Sequence, residues 1–117
     1  MGNIIEKNKK TPMRVLESEV AKLINDVLSD NEARAPMFGS YSSLYFPNYQ
    51  VAAKTGTTQD YRDAWTIGYS PSISVGVWVG NNNNEAMDEQ PGVVLAGAIF
   101  HSFMEKALPK FPQEDFK

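Results

Sequence analysis

Apolar residues recur at helical spacing in two segments of the chain. Positions spaced i, i+3, i+4, i+7 and i+8 predict an amphipathic helix over 17–30, with an apolar face formed by Val20, Leu23, Ile24, Val27 and Leu28. Acidic residues at its start suit the positive end of the helix dipole. A second helix is predicted over 92–107, and its apolar face is Ala96, Ile99, Phe100, Phe103 and Ala107.

Three further segments have the pattern of β-strands. The first is 50–57, and large and small residues then alternate with a period of two in 62–70 and again in 73–80. The two alternating runs are joined by Ser70-Pro71-Ser72, which predicts an antiparallel hairpin. A short additional strand is predicted over 2–6.

The remaining segments are polar or contain helix-breaking residues. Residues 32–50 include Pro36, Gly39 and Pro47 and predict a long irregular surface loop. The tail from Pro109 is polar and is predicted to fray. The order of elements predicts an α+β fold, an antiparallel sheet with helices packed on it, in which the two helices cover one face of the sheet.

Composition excludes several classes of function. The chain has 117 residues, a formal net charge of −3 and no basic stripe, so no nucleic-acid partner is expected. It has no cysteine, which excludes disulfides, a thiolate nucleophile and a zinc site built on cysteine. No metal and no cofactor are predicted. No apolar run reaches the roughly 20 residues of a membrane span, and the N-terminus lacks the apolar core of a signal peptide, so we expect this chain to be soluble.

The end of the first strand carries the most chemically suggestive residues, Lys54-Thr55-Gly56-Thr57-Thr58. The lysine fixes a positive charge, the hydroxyls can bind a carboxylate, and the glycine lets another backbone approach closely. Because side chains alternate along a strand, Thr55 and Thr57 share a face. An extended peptide can also add to such an edge through main-chain hydrogen bonds. A K-T-G tripeptide alone does not distinguish this site from a solvated strand end.

The flanks of this motif resemble the K-T-G region of class A, bifunctional penicillin-binding proteins, in which S-x-x-K, S-x-N and K-T-G form the active site. The resemblance is carried by 51–71, by Val75-Gly76-Val77-Trp78-Val79-Gly80-Asn81-Asn82 and by Ala33-Arg34-Ala35-Pro36-Met37-Phe38-Gly39. It implies a partial penicillin-binding-protein or serine β-lactamase-like transpeptidase fold, with 1–117 a C-terminal fragment of the domain.

The resemblance also implies roles for the motif residues. In the family a serine attacks a D-Ala-D-Ala stem peptide, forms an acyl-enzyme and is released by the amine of a second stem peptide. Lys54 would hold the serine of S-x-N and assist proton transfer. Thr55, Thr57 and Thr58 would belong to the substrate-binding wall, with Thr55 and Thr57 on the carboxylate and the Thr57 N–H in the oxyanion hole. Gly56 would belong to the same substrate-binding wall and keep the edge open.

The nucleophile of this chemistry is missing from the chain. No serine is followed by lysine three residues later, so S-x-x-K is absent. Ser29-Asp30-Asn31 spells S-D-N, but it lies close before Lys54 at the end of the predicted helix and is interpreted as a helix C-terminus. We therefore expect the isolated chain to perform no acyl transfer, although the resemblance implies that it derives from a serine-type D,D-transpeptidase.

Other residues are interpreted as structural. His101, the only histidine, lies beside two phenylalanines of the predicted helix and has no evident catalytic partner. Asp60, Arg62 and Asp63 are interpreted as a surface ion pair that shapes the turn, with substrate contact as the alternative. Trp65 and Trp78 are interpreted as packing residues, against the helices or against a part of the domain outside this chain, rather than as a stacking platform.

The resemblance implies partners and a location as well. In the complete domain these are peptidoglycan stem peptides, β-lactams and the N-terminal part of the transpeptidase domain, at the extracytoplasmic face of the bacterial cytoplasmic membrane. Exposed apolar surface and free strand edges favour self-association of the fragment. Two alternatives stay open: a D,D-carboxypeptidase or β-lactamase-like fragment, and a non-catalytic module that binds cell-wall peptide or protein.

Overall fold

A computed structural model describes residues 7, 9, 11–87 and 94–117 and shows an α+β arrangement. This confirms the predicted fold class. The α-helices are α1 (Ser18–Ser29), α2 (Asn31–Phe38) and α3 (Leu95–Ala107). The strands are β1 (Ala52–Thr57), β2 (Asp63–Tyr69) and β3 (Ser74–Gly80), with short 3-10 helices at Gln59–Tyr61 and Leu108–Lys110.

The three strands form one antiparallel sheet in the order β1-β2-β3. Thr66 lies at its centre, opposite Thr55 on one side and Val77 on the other. Successive side chains of a strand point to opposite faces. On β2 this separates the buried Ala64 and Thr66 from Trp65, whose side chain is exposed.

Helix α3 covers one face of the sheet and forms the core with it. Phe100 and Met104 are fully buried, and they pack in one cluster with Val51 and Ala53. Gly68 lets the helix approach closely, since a Cβ atom there would lie 2.5 Å from Cζ of Phe100. Such a contact is too short for a real Cβ atom, so a larger residue at this position would force Phe100 or the neighbouring strand to shift.

Helix α1 does not cover the sheet in the way predicted. It contacts β1, and its Asn25 accepts a hydrogen bond of 2.7 Å from the hydroxyl of Tyr69. No residue of α1 is buried, however, and Leu23 and Val27 are 63% and 69% exposed. The apolar stripe of α1 therefore faces outward in the part of the chain that the structure describes.

The prediction of an irregular loop over 32–50 is wrong for its first part, which is helix α2. Asp30 caps this helix, since its side chain accepts a hydrogen bond of 2.9 Å from the N–H of Ala33. Pro36 lies inside the helix and removes one N–H donor. Gly39, with φ of 82°, ends it.

The two ends of the chain also differ from expectation. The predicted strand over 2–6 and the predicted start of the last helix at 92 lie outside the described residues. The tail does not fray, because it is attached to the segment before β1. Gln113 donates to the carbonyl oxygen of Asn48 at 2.7 Å, and the N–H of Phe116 donates to the side chain of Gln50 at 2.9 Å.

Candidate functional site

The K-T-G motif lies on β1, at an edge of the sheet formed by the described residues. Lys54, Thr55, Gly56 and Thr57 are all within the strand, and Thr58 follows it directly. Within this sheet β1 pairs only with β2, from Ala52 opposite Tyr69 to Thr57 opposite Ala64. The predicted strand-edge placement of the motif is therefore what the structure shows.

Main-chain groups of the motif alternate in direction along this edge. The N–H of Thr58 donates to the carbonyl oxygen of Asp63 at 3.1 Å, which makes these two residues a hydrogen-bonded pair. In an antiparallel pair the next residue along directs its N–H and C=O groups the other way. The main-chain groups of Thr57 and Thr55 are thus directed away from β2.

The side chain of Lys54 lies along the same edge. It is exposed, and its Nζ atom donates to the carbonyl oxygen of Thr55 at 2.5 Å. By strand alternation Lys54 and Gly56 share the face of Ile67 and Trp65, whereas Thr55 and Thr57 lie on the other face. The ammonium group therefore lies on one face of the strand and the two hydroxyl groups lie on the other. A single ligand can contact all three groups only at the edge of the strand.

Gly56 leaves open space on its face of the strand. A Cβ atom built there would have its nearest neighbour at 3.7 Å, the Cβ atom of Trp65, which is an ordinary contact. The fold itself thus does not demand glycine at this position. A requirement for glycine here would come from something that binds against the strand.

A tight turn follows the motif and is held by hydrogen bonds. The N–H of Asp63 donates to the hydroxyl of Thr58 at 3.0 Å. Asp60 and Tyr61 have φ of 59° and 51°, in the left-handed region that non-glycine residues rarely adopt. Nη2 of Arg62 lies 3.8 Å from Oδ2 of Asp60, so the predicted surface ion pair forms between these two residues.

A cleft of about 620 Å³ opens where the motif ends. The turn after β1 forms one wall, and the loop after β3 forms the other. Arg62 joins them, because its Nη1 atom donates to the carbonyl oxygen of Asn84 at 2.6 Å. A second link is the N–H of Met87, which donates to the carbonyl oxygen of Tyr61 at 3.0 Å.

The S-D-N sequence has a structural role at the junction of two helices. Ser29 ends α1, Asp30 caps α2, and Asn31 begins α2 and donates from its side chain to the carbonyl oxygen of Ser40 at 2.9 Å. This agrees with the prediction that the triplet ends a helix. The triplet also starts the next helix, which the sequence pattern did not indicate.

Arg34 is a structural residue that the sequence did not single out. Its guanidinium group donates to the carbonyl oxygens of Leu28, Asp30 and Leu44 at 2.8, 3.2 and 3.1 Å. Burial lowers the pKa of Arg34 from its ordinary value, and the nearby charge of Asp30 partly offsets this shift. The residue fastens both helices to the segment that leads toward β1.

His101 packs within the structure and lies away from the motif strand. Its ring stacks on Phe46 with centroids 4.7 Å apart, and its Nδ1 atom lies 3.0 Å from the carbonyl oxygen of Ser43. Its Nε2 atom lies 3.4 Å from a carboxylate oxygen of Glu105. The contacts with Phe46 and Ser43 attach the segment before β1 to α3, which fits the predicted structural role.

The two tryptophans face each other across β2 and β3 on the face opposite α3. Trp65 and Trp78 are register partners and are 41% and 42% exposed. The indole N–H of Trp78 donates to Oδ2 of Asp63 at 3.2 Å. The prediction that they pack against the helices is wrong for α3, because the alternation of β2 directs them to the other face.

No group of three or more histidine, cysteine, aspartate and glutamate side chains is placed to hold a metal ion among the described residues. None of the helices in this part of the chain is long and apolar enough to cross a membrane.

Comparison with known proteins identifies the family of the chain. Residues 3–105 match the family model for the penicillin binding protein transpeptidase domain. Penicillin-binding protein 1A of Aquifex aeolicus is 41% identical over 68 residues, which are 57% of this chain and 9% of that protein. Penicillin-binding protein 1A of Clostridium botulinum is 31% identical over 87 residues, which are 74% of this chain and 10% of that protein.

A longer alignment covers nearly the whole chain. Penicillin-binding protein 1A of Rickettsia typhi is 28% identical over 122 aligned positions, which cover 98% of this chain and 15% of that protein. The chain thus spans only a small part of the length of the relatives it matches. The similarity to several penicillin-binding proteins 1A confirms the predicted resemblance to class A penicillin-binding proteins. The chain belongs to the penicillin-binding protein transpeptidase domain family.

Proposed function

We propose that this chain supplies the K-T-G strand of a peptidoglycan D,D-transpeptidase whose serine nucleophile lies outside the 117 residues. The observation that supports this most directly is the position of Lys54, Thr55 and Thr57 at the edge of the described sheet. At such an edge a peptide can bind as an additional strand while its terminal carboxylate reaches an ammonium group and hydroxyls.

The proposed reaction is a two-step acyl transfer. The serine oxygen attacks the carbonyl carbon between the two terminal D-alanines, the amide C–N bond breaks, and the last D-alanine leaves with a proton on its nitrogen. The amine of a second stem peptide then attacks the ester carbonyl. A new amide bond forms, the serine oxygen leaves with a proton, and two stem peptides are cross-linked.

Each motif residue has a defined part in this proposal. Lys54 places a positive charge near the serine of S-x-N and near the substrate, and it exchanges its present contact with the carbonyl oxygen of Thr55 for these partners. The hydroxyls of Thr55 and Thr57 bind the terminal carboxylate, and Thr58 continues that wall. The N–H of Thr57 stabilises the developing oxyanion, because its direction away from β2 suits a ligand at the edge.

The proposed function implies binding partners for the chain and a cellular location for the parent protein. The motif strand requires the part of the transpeptidase domain that carries S-x-x-K and S-x-N, so that part is its first partner. Stem peptides and β-lactams are the ligands of the complete site. Cross-linking of peptidoglycan places the parent protein at the extracytoplasmic face of the bacterial cytoplasmic membrane.

Labelling with a fluorescent penicillin tests the proposal. The longest polypeptide encoded in the same reading frame is compared with the 117-residue chain after denaturing electrophoresis. We expect a stoichiometric covalent adduct on the longer polypeptide and none on the short chain. A covalent adduct on the short chain, or a reading frame without S-x-x-K, would overturn the proposal.

Because S-x-x-K is absent from the chain, a second candidate function is that of a non-catalytic module that binds cell-wall peptide. This function predicts reversible binding of a D-Ala-D-Ala peptide with no acylation in any longer product of the gene.

Analysis of the reaction products distinguishes the three candidate enzyme activities. A cross-linked dimer of stem peptides indicates a transpeptidase, and release of D-alanine alone indicates a carboxypeptidase. Hydrolysed penicillin indicates a β-lactamase.

A further inference from the structure

Three hollows adjoin one another on the surface formed by α2, the segment before β1 and α3, and together they are called the aromatic groove. The first hollow, of about 320 Å³, shares Pro47 and His101 with the second, of about 280 Å³. The second shares Tyr41 and Tyr45 with the third, of about 360 Å³. None of the described residues that line the groove belongs to β1. The groove is therefore a surface separate from the motif site.

Aromatic rings form much of the groove. The segment 41–49 carries Tyr41, Tyr45, Phe46 and Tyr49, and each of them lines at least one hollow. Tyr41 is 90% exposed, and its ring meets that of Tyr45 edge to face with centroids 5.9 Å apart. A ring that the fold does not bury presents apolar area and a polar hydroxyl to a ligand.

The backbone that carries these rings is held in place. Leu44 and Phe46 are buried in the core, and the carbonyl oxygen of Leu44 accepts a hydrogen bond of 3.1 Å from Arg34. The N–H of Tyr45 donates to the carbonyl oxygen of Ser42 at 3.0 Å and closes a turn. A ligand thus meets rings on an ordered backbone, which reduces the entropy lost on binding.

The polar groups of the groove include several acceptors of hydrogen bonds. Glu105 lines the first hollow and Glu32 lines the third, whereas among the described residues no lysine or arginine lines any of the three. Asn31, at the third hollow, has a buried Oδ1 atom without a hydrogen-bond partner in the described part of the chain. These acceptors suit the hydroxyl and amide N–H groups of a ligand, and the two carboxylates disfavour an anion.

We propose that the aromatic groove binds a glycan strand of β-1,4-linked N-acetylhexosamines. The faces of a pyranose ring present C–H groups that pack on tyrosine rings, while hydroxyl and acetamido groups at the ring edge donate to Glu105, Glu32 and Asn31. A polymer of repeated rings matches adjoining hollows better than a single small molecule does. The inference rests on the proposed function, because a peptidoglycan glycan strand carries the stem peptides that the motif site would cross-link.

Titration of the isotope-labelled 117-residue chain with chitotetraose, followed by amide chemical shifts, tests the proposal. We expect saturable shifts in 41–49, in α2 and around His101. Chitobiose should bind about tenfold more weakly, because it spans fewer hollows and makes fewer contacts. Maltotetraose, whose α-linkages curve the chain, should also bind about tenfold more weakly. Added salt should leave the affinity for chitotetraose unchanged, since this ligand is uncharged.

Two variants locate the binding surface. Tyr41→Ala should weaken binding of chitotetraose about fivefold, because an exposed stacking ring is lost. Glu105→Gln should weaken it about threefold, because a charged acceptor is lost. Both side chains are exposed, so we expect both variants to fold. Phe103→Ala and Glu114→Gln make matched changes at exposed positions outside the groove and should keep the wild-type affinity.

The proposal is overturned if chitotetraose shows no saturable binding, or if its shifts centre on the motif strand. Equal affinity for maltotetraose, or wild-type affinity in Tyr41→Ala, would also overturn it. Failure of the proposed function is read separately, from penicillin labelling of the longer polypeptide. Because penicillin carries no glycan, Tyr41→Ala in that polypeptide should label at the wild-type rate.

Discussion

The ammonium group of Lys54 donates to the carbonyl oxygen of Thr55 at 2.5 Å, at the edge of the motif strand. The lysine thus covers a main-chain acceptor that an incoming peptide would use. A bound strand has to replace this contact, so binding and repositioning of the lysine are linked events.

Replacing Lys54 by methionine should separate stability from chemistry. The side chain is exposed, so we expect the free energy of unfolding to change by less than about 0.5 kcal/mol. The rate of penicillin acylation of the longer polypeptide should fall about 100-fold, because a preorganised charge is lost. Lys110→Met, at another exposed lysine, is the matched control and should label at the wild-type rate. Wild-type labelling by Lys54→Met would contradict the role given to Lys54.

Two glycine-to-alanine variants should have opposite effects. Gly56→Ala should leave stability nearly unchanged, since the nearest atom to its Cβ would be 3.7 Å away, and should reduce penicillin labelling by crowding the strand. Gly68→Ala should destabilise the chain by about 2 kcal/mol, because its Cβ would lie 2.5 Å from Phe100. Urea denaturation and labelling measure the two effects. Normal labelling of the Gly56→Ala variant would show that the site does not require glycine at this position.

Thr66→Val should stabilise the chain. Thr66 is fully buried, and its hydroxyl group has no hydrogen-bond partner among the described residues. Valine has nearly the same shape and removes the cost of the unpaired hydroxyl, so the free energy of unfolding should rise by about 1 kcal/mol. Thr66→Ser keeps the hydroxyl, loses a methyl group and should destabilise by about 1 kcal/mol. A loss of stability in the valine variant would mean that the hydroxyl is hydrogen-bonded.

The outward face of α1 should make the chain self-associate. Leu23 and Val27 are largely exposed, and together with Val20 and Ile24 they form a continuous apolar stripe. We expect a dimer by light scattering at high concentration, and we expect Leu23→Glu with Val27→Glu to shift it toward monomer. Ala21→Glu, at an exposed position with a small side chain, is the control. A wild-type chain that stays monomeric would contradict this prediction.

Local patterns predicted the elements of this fold well where one physical signal dominated. The alternating runs in 62–70 and 73–80 became β2 and β3, and helical spacing located α1 and α3. Pro36 misled the prediction for 32–50, because a proline signals a break whereas the cap at Asp30 is enough to start a short helix.

Long-range relationships could not be read from the pattern. The amphipathic spacing of α1 predicts an apolar face but does not say what covers it, and the structure leaves that face exposed. Arg34 binds three carbonyl oxygens whose positions depend on how two helices meet. The cleft behind Thr58 likewise depends on the contact between Arg62 and Asn84, which are 22 residues apart.

The attachment of the tail has a consequence for biosynthesis. Gln113 and Phe116 hold Asn48 and Gln50, which directly precede the motif strand, and the paired positions are 65 and 66 residues apart. A chain emerging from the ribosome cannot make these bonds until residues 113–116 have been synthesised. The segment that enters the motif strand is therefore attached only after the whole sheet has been synthesised, and replacing Gln113 and Phe116 should slow maturation of the site more than it alters the finished sheet.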